Sequence, residues 1–210
     1  MILFLILLFF YNISGFNLCV VGATSGLGRE IIYQALQNNN KILGLTNNPN
    51  NIKIPNREGG LSKKETKIPI ISKNLKIDNY YNYSKYDFKN IVFTTSAQPF
   101  EKDYSDIITE NILSKNINTL EKIVLISADG AGETLKNSNI GIQIMNNWYL
   151  QDAYRAKNQQ EKIIEEYCIK YNKKFLIIRP QALSYGFNLL NIKSRQNYAY
   201  DVLNYFNSKS

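Results

Sequence analysis

The feature that most constrains this chain is a short apolar segment that runs into a glycine-rich turn and then into a helix. Leu18–Val21 carries no charge, which is typical of a strand buried on both faces of a sheet. Glycines follow at positions 22, 26 and 28, and residues 30–36 then resume with the spacing of an amphipathic helix. Such glycines let the backbone approach a pyrophosphate closely, with the amides of the helix N-terminus facing the phosphates. The pattern therefore predicts a dinucleotide-binding site, the alternative being a turn that only connects strand and helix.

Apolar strand segments alternate with amphipathic helices along the rest of the chain. This alternation predicts an α/β fold, a Rossmann-type, doubly wound parallel sheet in three layers (α/β/α), formed as a single domain by residues 16–210. A polar loop is predicted over residues 50–67. Further strands are predicted at residues 41–46, 68–72, 90–95, 122–127 and 174–179, and further helices at residues 103–118, 151–171 and 195–206.

The composition excludes several kinds of chemistry. The 210-residue chain contains no histidine, which rules out Ser-His-Asp and Cys-His catalysis and any histidine-ligated metal site. Cys19 and Cys168 fall in a predicted strand and a predicted helix, where we expect core residues rather than a disulfide or metal ligands. The net charge of +8 comes mostly from scattered lysines and arginines, and the sequence shows no basic stripe interleaved with stacking aromatics. We therefore expect no nucleic-acid partner and a preference for an anionic cofactor.

The first fifteen residues differ from the rest of the chain. Residues 1–10 are apolar and uncharged, a run too short to span a bilayer but similar to the core of a signal peptide. Gly15 offers a cleavage point just before the first strand. A signal or anchor segment over residues 1–15 predicts a secretory, membrane-associated or plastid location, whereas a hydrophobic extension of the fold predicts a cytoplasmic protein. The sequence leaves the oligomeric state open.

Four motifs occur in an order and spacing that resemble one protein family. They are the glycine turn at 22–29 (GATSGLGR), the strand end and loop at 124–132 (VLISADGAG), the helix segment at 154–157 (YRAK) followed by Glu161, and the strand end at 177–180 (IIRP). From about residue 18 to residue 183, the chain resembles the atypical short-chain dehydrogenases/reductases. The resemblance is to the NAD(P)H-binding branch that contains biliverdin-IXβ/flavin reductases and NmrA-like redox sensors.

The resemblance implies a place for each part of a nicotinamide dinucleotide. The glycine turn would hold the pyrophosphate, Asn47 the 2′ end of the adenosine ribose, and Asn74 and Thr95 the adenine. Ser127, Lys157 and Pro180 would surround the nicotinamide, with Ser127 and Lys157 also as catalytic residues. The alternatives are a turn cap for Ser127 and a solvated helix residue for Lys157. The implied cofactor-binding set, which includes no metal ligand, is Gly22, Thr24, Ser25, Gly26, Leu27, Gly28, Arg29, Asn47, Asn74, Thr95, Ser127, Lys157 and Pro180.

Two departures from the family pattern bear on catalysis and on cofactor choice. The family's catalytic tyrosine stands four residues before the lysine, where this chain has Ala153, while Tyr154 is only three residues away. Tyr154 is thus a displaced proton donor or a packing aromatic, and we favour packing. No acidic residue follows the second strand to bind a ribose 2′-hydroxyl or to repel a 2′-phosphate. NADP(H) is therefore the preferred cofactor and NAD(H) the alternative, although the family's NADP-binding arginine is replaced by Asn47.

These observations predict an NADP(H)-binding atypical short-chain oxidoreductase. Without the catalytic tyrosine, the favoured substrate is a flat, conjugated small-molecule acceptor such as a flavin, a quinone or a tetrapyrrole, because its reduction needs mainly a well-placed hydride donor. The alternative is a non-catalytic NADP(H)-binding sensor or assembly factor that has lost the catalytic tyrosine.

Overall fold

Six parallel strands form a single sheet within the part of the chain that the computed structural model describes. The described residues are 15–50, 73–95, 101–115, 118–137, 140–144, 148, 150–180 and 194–208. The strands are β1 (Phe16–Val21), β2 (Ile42–Thr46), β3 (Leu75–Asn79), β4 (Phe88–Phe93), β5 (Lys122–Ile126) and β6 (Lys174–Ile178), arranged in the order β3-β2-β1-β4-β5-β6. The helices are α1 (Gly26–Gln37), α2 (Ser105–Lys115), α3 (Ile140–Ile144), α4 (Gln151–Tyr171) and α5 (Arg195–Asn207), with 3₁₀ turns at Tyr80–Lys85 and Gly132–Asn137.

Along the chain, β2 and β3 are added on one side of β1, and β4, β5 and β6 are then added on its other side. The order of the strands therefore switches at β1, which lies between β2 and β4. Val21, the last residue of β1, is in register with Leu45 of β2 and with Phe93 of β4. The carboxyl ends of these three strands therefore meet at one edge of the sheet. A crevice at such a switch point is where open α/β sheets bind their ligands.

Apolar residues cover both faces of the sheet. Val20 of β1 belongs to a buried cluster that includes α1 and α5, whereas the neighbouring Val21 belongs to a cluster that includes α2 and α4. Cys19 and Cys168 are free thiols buried in the second cluster, which confirms their expected place in the core. Helices thus pack on both faces of one parallel sheet, and the predicted three-layer Rossmann-type fold is confirmed.

The structure contains a strand that was not predicted from the sequence. Whereas α4 has the predicted bounds and most other elements differ from theirs by a few residues, the strand paired with β2 is Leu75–Asn79. The strand predicted at residues 68–72 lies outside the described residues. Leu75–Asp78 alternates apolar and charged residues, as a strand at the edge of a sheet allows, and it was missed because the other strands were recognised as uncharged apolar runs.

The segment predicted as a signal or anchor falls almost wholly outside the described residues. Of residues 1–15, the structure describes only Gly15. Within the described ranges, no helix combines the length and the hydrophobicity that a bilayer crossing requires.

Lys122 attaches the end of the last helix to the sheet. Its Nζ donates hydrogen bonds to the carbonyl oxygens of Tyr205 and Phe206, each at 3.1 Å, and of Ser208 at 2.6 Å. The ammonium also lies 5.6 Å from the ring centre of Tyr205. A cation at a helix C-terminus binds carbonyl groups that the helix itself leaves unpaired, and it interacts favourably with the helix dipole. Lys122 therefore fixes α5 on the same face of the sheet as α1.

Candidate functional site

The turn between β1 and α1 needs glycine at two positions. Gly22 has a φ of +89°, and a Cβ there would lie 2.8 to 2.9 Å from atoms of Thr94 and Thr95. A Cβ at Gly28 would overlap the carbonyl oxygen of Gly22. The turn is therefore packed so tightly, on itself and on the end of β4, that neither position accommodates a side chain.

Thr94, the first residue after β4, ties the turn to the centre of the sheet. Its Oγ1 lies 2.9 Å from the carbonyl oxygen of Val21 and 3.1 Å from that of Gly22. It also accepts a hydrogen bond from Oγ of Ser25 at 3.0 Å. Ser25 in turn caps α1, because its Oγ accepts a hydrogen bond from the backbone nitrogen of Gly28 at 2.9 Å. The hydroxyl groups of Thr94 and Ser25 thus fix the direction in which α1 begins.

The end of β2 closes the other side of the turn. Oγ1 of Thr24 lies 2.9 Å from Oγ1 of Thr46, which also accepts a hydrogen bond from the backbone nitrogen of Asn48 at 3.3 Å. Asn47 and Asn48 are exposed. This segment offers hydroxyl and amide groups to a ligand beside the turn, and no carboxylate.

A cleft of about 650 Å³ opens at this edge of the sheet. It brings together most of the residues predicted to bind a cofactor, from the glycine turn to the ends of β2, β4 and β5. Those that line it are Gly22, Thr24, Ser25, Gly26, Leu27, Arg29, Asn47, Thr95, Ser127 and Lys157.

Four predicted site residues are not among the described residues that line the cleft, namely Gly28, Asn74, Tyr154 and Pro180. The expectation that Asn74 follows the third strand is wrong, because β3 begins after it and its carbonyl oxygen accepts a hydrogen bond from Ile42 at the start of β2. Asn74 therefore lies at the opposite edge of the sheet. Gly28 is buried within the turn. Pro180 is buried after β6, and its carbonyl oxygen accepts a hydrogen bond from the backbone nitrogen of Asp129 at 3.1 Å.

The cleft also contains polar residues that the sequence reading did not single out. Tyr80 after β3, Asp103 and Ser105 at the start of α2, and Arg195 at the start of α5 all line it. Burial, followed by the charge of Asp103, raises the pKa of Tyr80 to about 12. Oδ1 of Asp103 accepts a hydrogen bond from the backbone nitrogen of Ser105 at 2.8 Å, and its carbonyl oxygen accepts one from Arg155 at 3.2 Å. No sequence signal pointed to Tyr80, because the strand before it was not predicted, and nothing local connects Arg195 with the glycine turn.

Lys157 projects from α4 into the cleft, but the protein itself engages its ammonium group. Nζ donates hydrogen bonds to the carbonyl oxygens of Thr95 at 2.5 Å and Ile126 at 3.0 Å, and to Oε1 of Gln160 at 2.9 Å. These bonds match the three donors of an ammonium group. Lys157 is only 4% exposed, and burial lowers its pKa to about 8, against the opposing effect of two nearby carboxylates. The interpretation of Lys157 as a solvated helix residue is therefore wrong. The Lys157 side chain links the ends of β4 and β5 to α4.

The hydroxyl group of Tyr154 supports the loop after β5. It donates a hydrogen bond to the carbonyl oxygen of Asp129 at 2.8 Å, and the side chain is buried. Burial, followed by the charge of Asp129, raises the pKa of Tyr154. This geometry agrees with the packing role that we favoured.

An ion pair joins two of the four sequence motifs. Arg179 donates hydrogen bonds from Nε and Nη2 to the two carboxylate oxygens of Glu161, at 2.9 and 2.7 Å. Gly132, with a φ of +56°, packs directly on this carboxylate, and its backbone nitrogen donates a hydrogen bond to Oδ1 of Asn158 at 2.7 Å. The ion pair therefore holds the loop after β5 against α4 and β6.

Three hydroxyl groups at the cleft are buried without a hydrogen-bond partner in the described structure. They are Oγ of Ser105, Oγ of Ser127 and Oγ1 of Thr95. Ser127 therefore does not cap the turn after β5, which was the alternative to a ligand-binding role. Because burying a hydroxyl group without a hydrogen bond costs free energy, these groups indicate where polar atoms of a ligand would bind.

The fold has counterparts among solved structures. No protein-family model matches the chain, and no curated protein is similar to it in sequence. ChuY, an anaerobillin reductase from Escherichia coli O157:H7, has a TM-score of 0.63 at 12% identity over 92% of both chains. The oxidoreductase YlbE from Lactococcus lactis has a TM-score of 0.60 at 13% identity, over 90% of this chain and 84% of YlbE.

A third structure with this fold was solved with a dinucleotide. WbmH from Bordetella bronchiseptica, in complex with NAD+, has a TM-score of 0.60 at 10% identity, over 93% of this chain and 74% of WbmH. These likenesses show that the chain has the fold expected from its resemblance to atypical short-chain dehydrogenases/reductases.

We expect the buried Lys157 ammonium to make stability depend on pH. Its pKa is about 8 in the folded protein, against 10.5 for an ordinary lysine. Between these values the unfolded chain binds the proton and the folded protein does not, so this group makes the free energy of unfolding rise with pH, by about 1.4 kcal/mol per unit of pKa difference. Urea denaturation from about pH 7 to about pH 10 measures the effect.

Lys157→Met isolates the contribution of the lysine. The contributions of the other titrating groups cancel when the free energy of unfolding of the variant is subtracted from that of the wild type. The wild type should gain stability relative to Lys157→Met as the pH rises through this window. A difference that stays constant would contradict the pKa of the buried ammonium.

Proposed function

We propose that the cleft binds a nicotinamide dinucleotide and that the protein is an NAD(P)H-dependent oxidoreductase. The glycine turn carries this proposal: it lies at the switch point between β2 and β4, opens α1 and is packed too tightly at Gly22 and Gly28 for a side chain. A helix N-terminus behind such a turn binds a pyrophosphate through its backbone amides and its dipole. The solved structures support the proposal, since WbmH holds NAD+ and ChuY is a reductase.

The residues along the cleft match the parts of the cofactor in order. Gly22–Arg29 would bind the pyrophosphate, and Thr46–Asn48 would lie beside the adenosine ribose. Ser127 would lie at the nicotinamide end, where its buried hydroxyl group could bind a carboxamide or a ribose hydroxyl. A bound dihydronicotinamide supplies a hydride. Lys157 would hold the ends of β4 and β5 in place beneath it and would exchange one of its three hydrogen bonds to reach the ribose.

The acceptor that best fits this site is flat and conjugated, such as a flavin, a quinone or a tetrapyrrole. The phenol of Tyr154 is bonded to a backbone carbonyl, and the ammonium of Lys157 is bonded to three acceptors of the protein. An acceptor of this class can take its proton from solvent and needs the protein chiefly to position it against the hydride donor. The anaerobillin reductase activity of ChuY supports this choice of acceptor class.

Replacing Gly26 tests cofactor binding. The nearest atoms to a Cβ there belong to the Arg195 guanidinium, at 2.9 Å, which is the far end of a flexible side chain. We therefore expect Gly26→Val to remain folded and to bind NADPH and NADH about 10-fold or more weakly, because its branched side chain keeps the pyrophosphate away from the backbone. Titration calorimetry measures the affinities, and circular dichroism checks the fold.

The matched control for this variant is Gly15→Val. Gly15 is exposed at the start of β1, and a Cβ there would lie 3.4 Å from the nearest atom, an ordinary contact. This control should bind both cofactors as the wild type does. Wild-type affinity in a folded Gly26→Val protein would contradict the dinucleotide site.

The uncharged end of β2 favours NADP(H) over NAD(H). Thr46, Asn47 and Asn48 would leave a 2′-phosphate unopposed, whereas an acidic residue there would bind the 2′-hydroxyl of NAD(H) and repel the phosphate. Asn47→Asp should therefore reverse a wild-type preference for NADPH into one for NADH. The ratio of the two dissociation constants measures this change. Asn118→Asp, which adds the same charge just before β5 at the opposite edge, should leave the ratio unaltered, and an unchanged ratio in Asn47→Asp would show that the ribose lies elsewhere.

The alternative function is a non-catalytic NADP(H)-binding module. The observation in its favour is Tyr154, whose hydroxyl group supports the loop after β5 in place of facing the cleft. Binding of NADPH without its oxidation by any flavin, quinone or ketone in a stopped-flow panel would favour this alternative.

Tyr154→Phe tests whether the phenol of Tyr154 only supports the structure or also donates a proton in the reaction. We expect the variant to lose about 1 kcal/mol of stability with its hydrogen bond to Asp129 and to keep its rate of NADPH oxidation by a flavin-like acceptor. Denaturation and stopped-flow measurements test the two parts. A fall in rate of about 10²-fold at unchanged cofactor affinity would instead identify Tyr154 as the proton donor.

A further inference from the structure

Arg195 reaches from the last helix onto the glycine turn. Its Cζ and Nε lie 2.9 Å from the position that a Cβ of Gly26 would take, and its Nε and Nη1 are buried. Arg195 lines the cleft together with Arg29. The last helix thus brings a guanidinium group to the middle of the turn that opens the first helix.

The position of Arg195 follows from the way α5 is attached to the rest of the protein. Ser194 is buried and caps α5, with its Oγ accepting a hydrogen bond from the backbone nitrogen of Asn197 at 3.2 Å. Gln34 of α1 donates a hydrogen bond to the carbonyl oxygen of Gln196 at 3.1 Å. Apolar residues of α1 and α5 share one buried cluster, and a lysine of β5 binds the last carbonyl groups of α5. Arg195 is therefore carried on a fixed helix start and not on a loop.

Both helix starts at this position carry a cation and no carboxylate, although Glu101 and Asp103 line other parts of the cleft. Neither α1 nor α5 has an acidic residue in its first turn, and Arg29 and Arg195 lie in these two turns. The positive end of a helix dipole stabilises an acidic group, so a cation at each helix start adds to a potential that is already positive. A phosphate between the two guanidinium groups would be stabilised by both of them and by the amides of the turn.

We propose that Arg195 is a phosphate-binding residue of the dinucleotide site and that its ligand is the bridging pyrophosphate. This inference rests on the proposed function, because it needs a dinucleotide in the cleft. Arg195 packs on Gly26 in the turn, whereas a 2′-phosphate would lie beside Thr46–Asn48 at the end of β2. Arg195 therefore contributes equally to the binding of NADPH and NADH and takes no part in the choice between them.

Titration calorimetry with NADPH, NADH and ADP-ribose tests this assignment. ADP-ribose contains the pyrophosphate but neither the nicotinamide nor a 2′-phosphate. Arg195→Gln should weaken the binding of all three by roughly 10- to 100-fold, since it removes charge-assisted hydrogen bonds. Arg195→Lys keeps the charge without the planar fork and should recover part of the loss. Lys89→Gln removes the same charge from a largely exposed position on β4 outside the cleft and should leave all three affinities unchanged.

The outcomes separate the role of Arg195 from the proposed function. A loss confined to NADPH would place Arg195 at the 2′-phosphate and overturn the pyrophosphate assignment. Unchanged affinities in a folded Arg195→Gln protein, with Gly26→Val defective, would overturn the role of Arg195 and leave the proposed function standing. A wild-type protein that binds none of the three probes would overturn both.

Discussion

The candidate site depends on how closely the glycine turn packs against the end of β4. Thr94 is at the centre of this contact, because its hydroxyl group lies within hydrogen-bond distance of the carbonyl oxygens of Val21 and Gly22 and of the hydroxyl group of Ser25. The turn can approach the end of β4 this closely only because Gly22 and Gly28 have no side chains. Since Ser25 also caps α1, the same small group of atoms fixes the end of the strand, the turn and the start of the helix. The direction of the α1 dipole, and with it the place where an anion is stabilised, follows from this packing.

A buried polar chain fixes the middle of the cleft in a similar way. Lys157 bridges the backbone at the ends of β4 and β5, and its third partner, Gln160, donates a hydrogen bond to Oγ1 of Thr109 at 2.7 Å. Thr109 in turn donates one to the carbonyl oxygen of Ser105 at 2.7 Å. The chain thus runs from the sheet through α4 to the start of α2, and the low local dielectric strengthens each of its bonds. The lysine that the resemblance assigned to the ribose is therefore also a structural link between the sheet and two helices, α4 and α2, that pack on one of its faces.

The sequence could predict the elements whose pattern is local. α4 has the predicted bounds because its apolar residues keep a helical period over its whole length, and the glycine turn was recognised because strand, turn and helix start are contiguous. β3 was missed because the other strands were recognised as uncharged apolar runs, whereas charged Lys76 and Asp78 alternate with its apolar residues, and Asn74 was misassigned with it. The pairing of Glu161 with Arg179 and the approach of Arg195 to Gly26 join residues far apart in the chain. Contacts of this kind depend on how the helices are placed on the sheet, which no local pattern records.

The two side chains that the resemblance associates with proton donation, Tyr154 and Lys157, make hydrogen bonds within the protein. Tyr154 supports the loop after β5, and Lys157 gives its hydrogen bonds to the protein. The described cleft is lined by the glycine turn, by Arg29 and Arg195, by the buried hydroxyl groups of Thr95, Ser105 and Ser127, and by the ionisable residues Tyr80, Glu101, Lys102, Asp103 and Tyr104. Under the proposed function, discrimination between acceptors would fall to the shape of the cleft and to the distance at which it holds an acceptor from the hydride, a requirement that a flat conjugated molecule would meet.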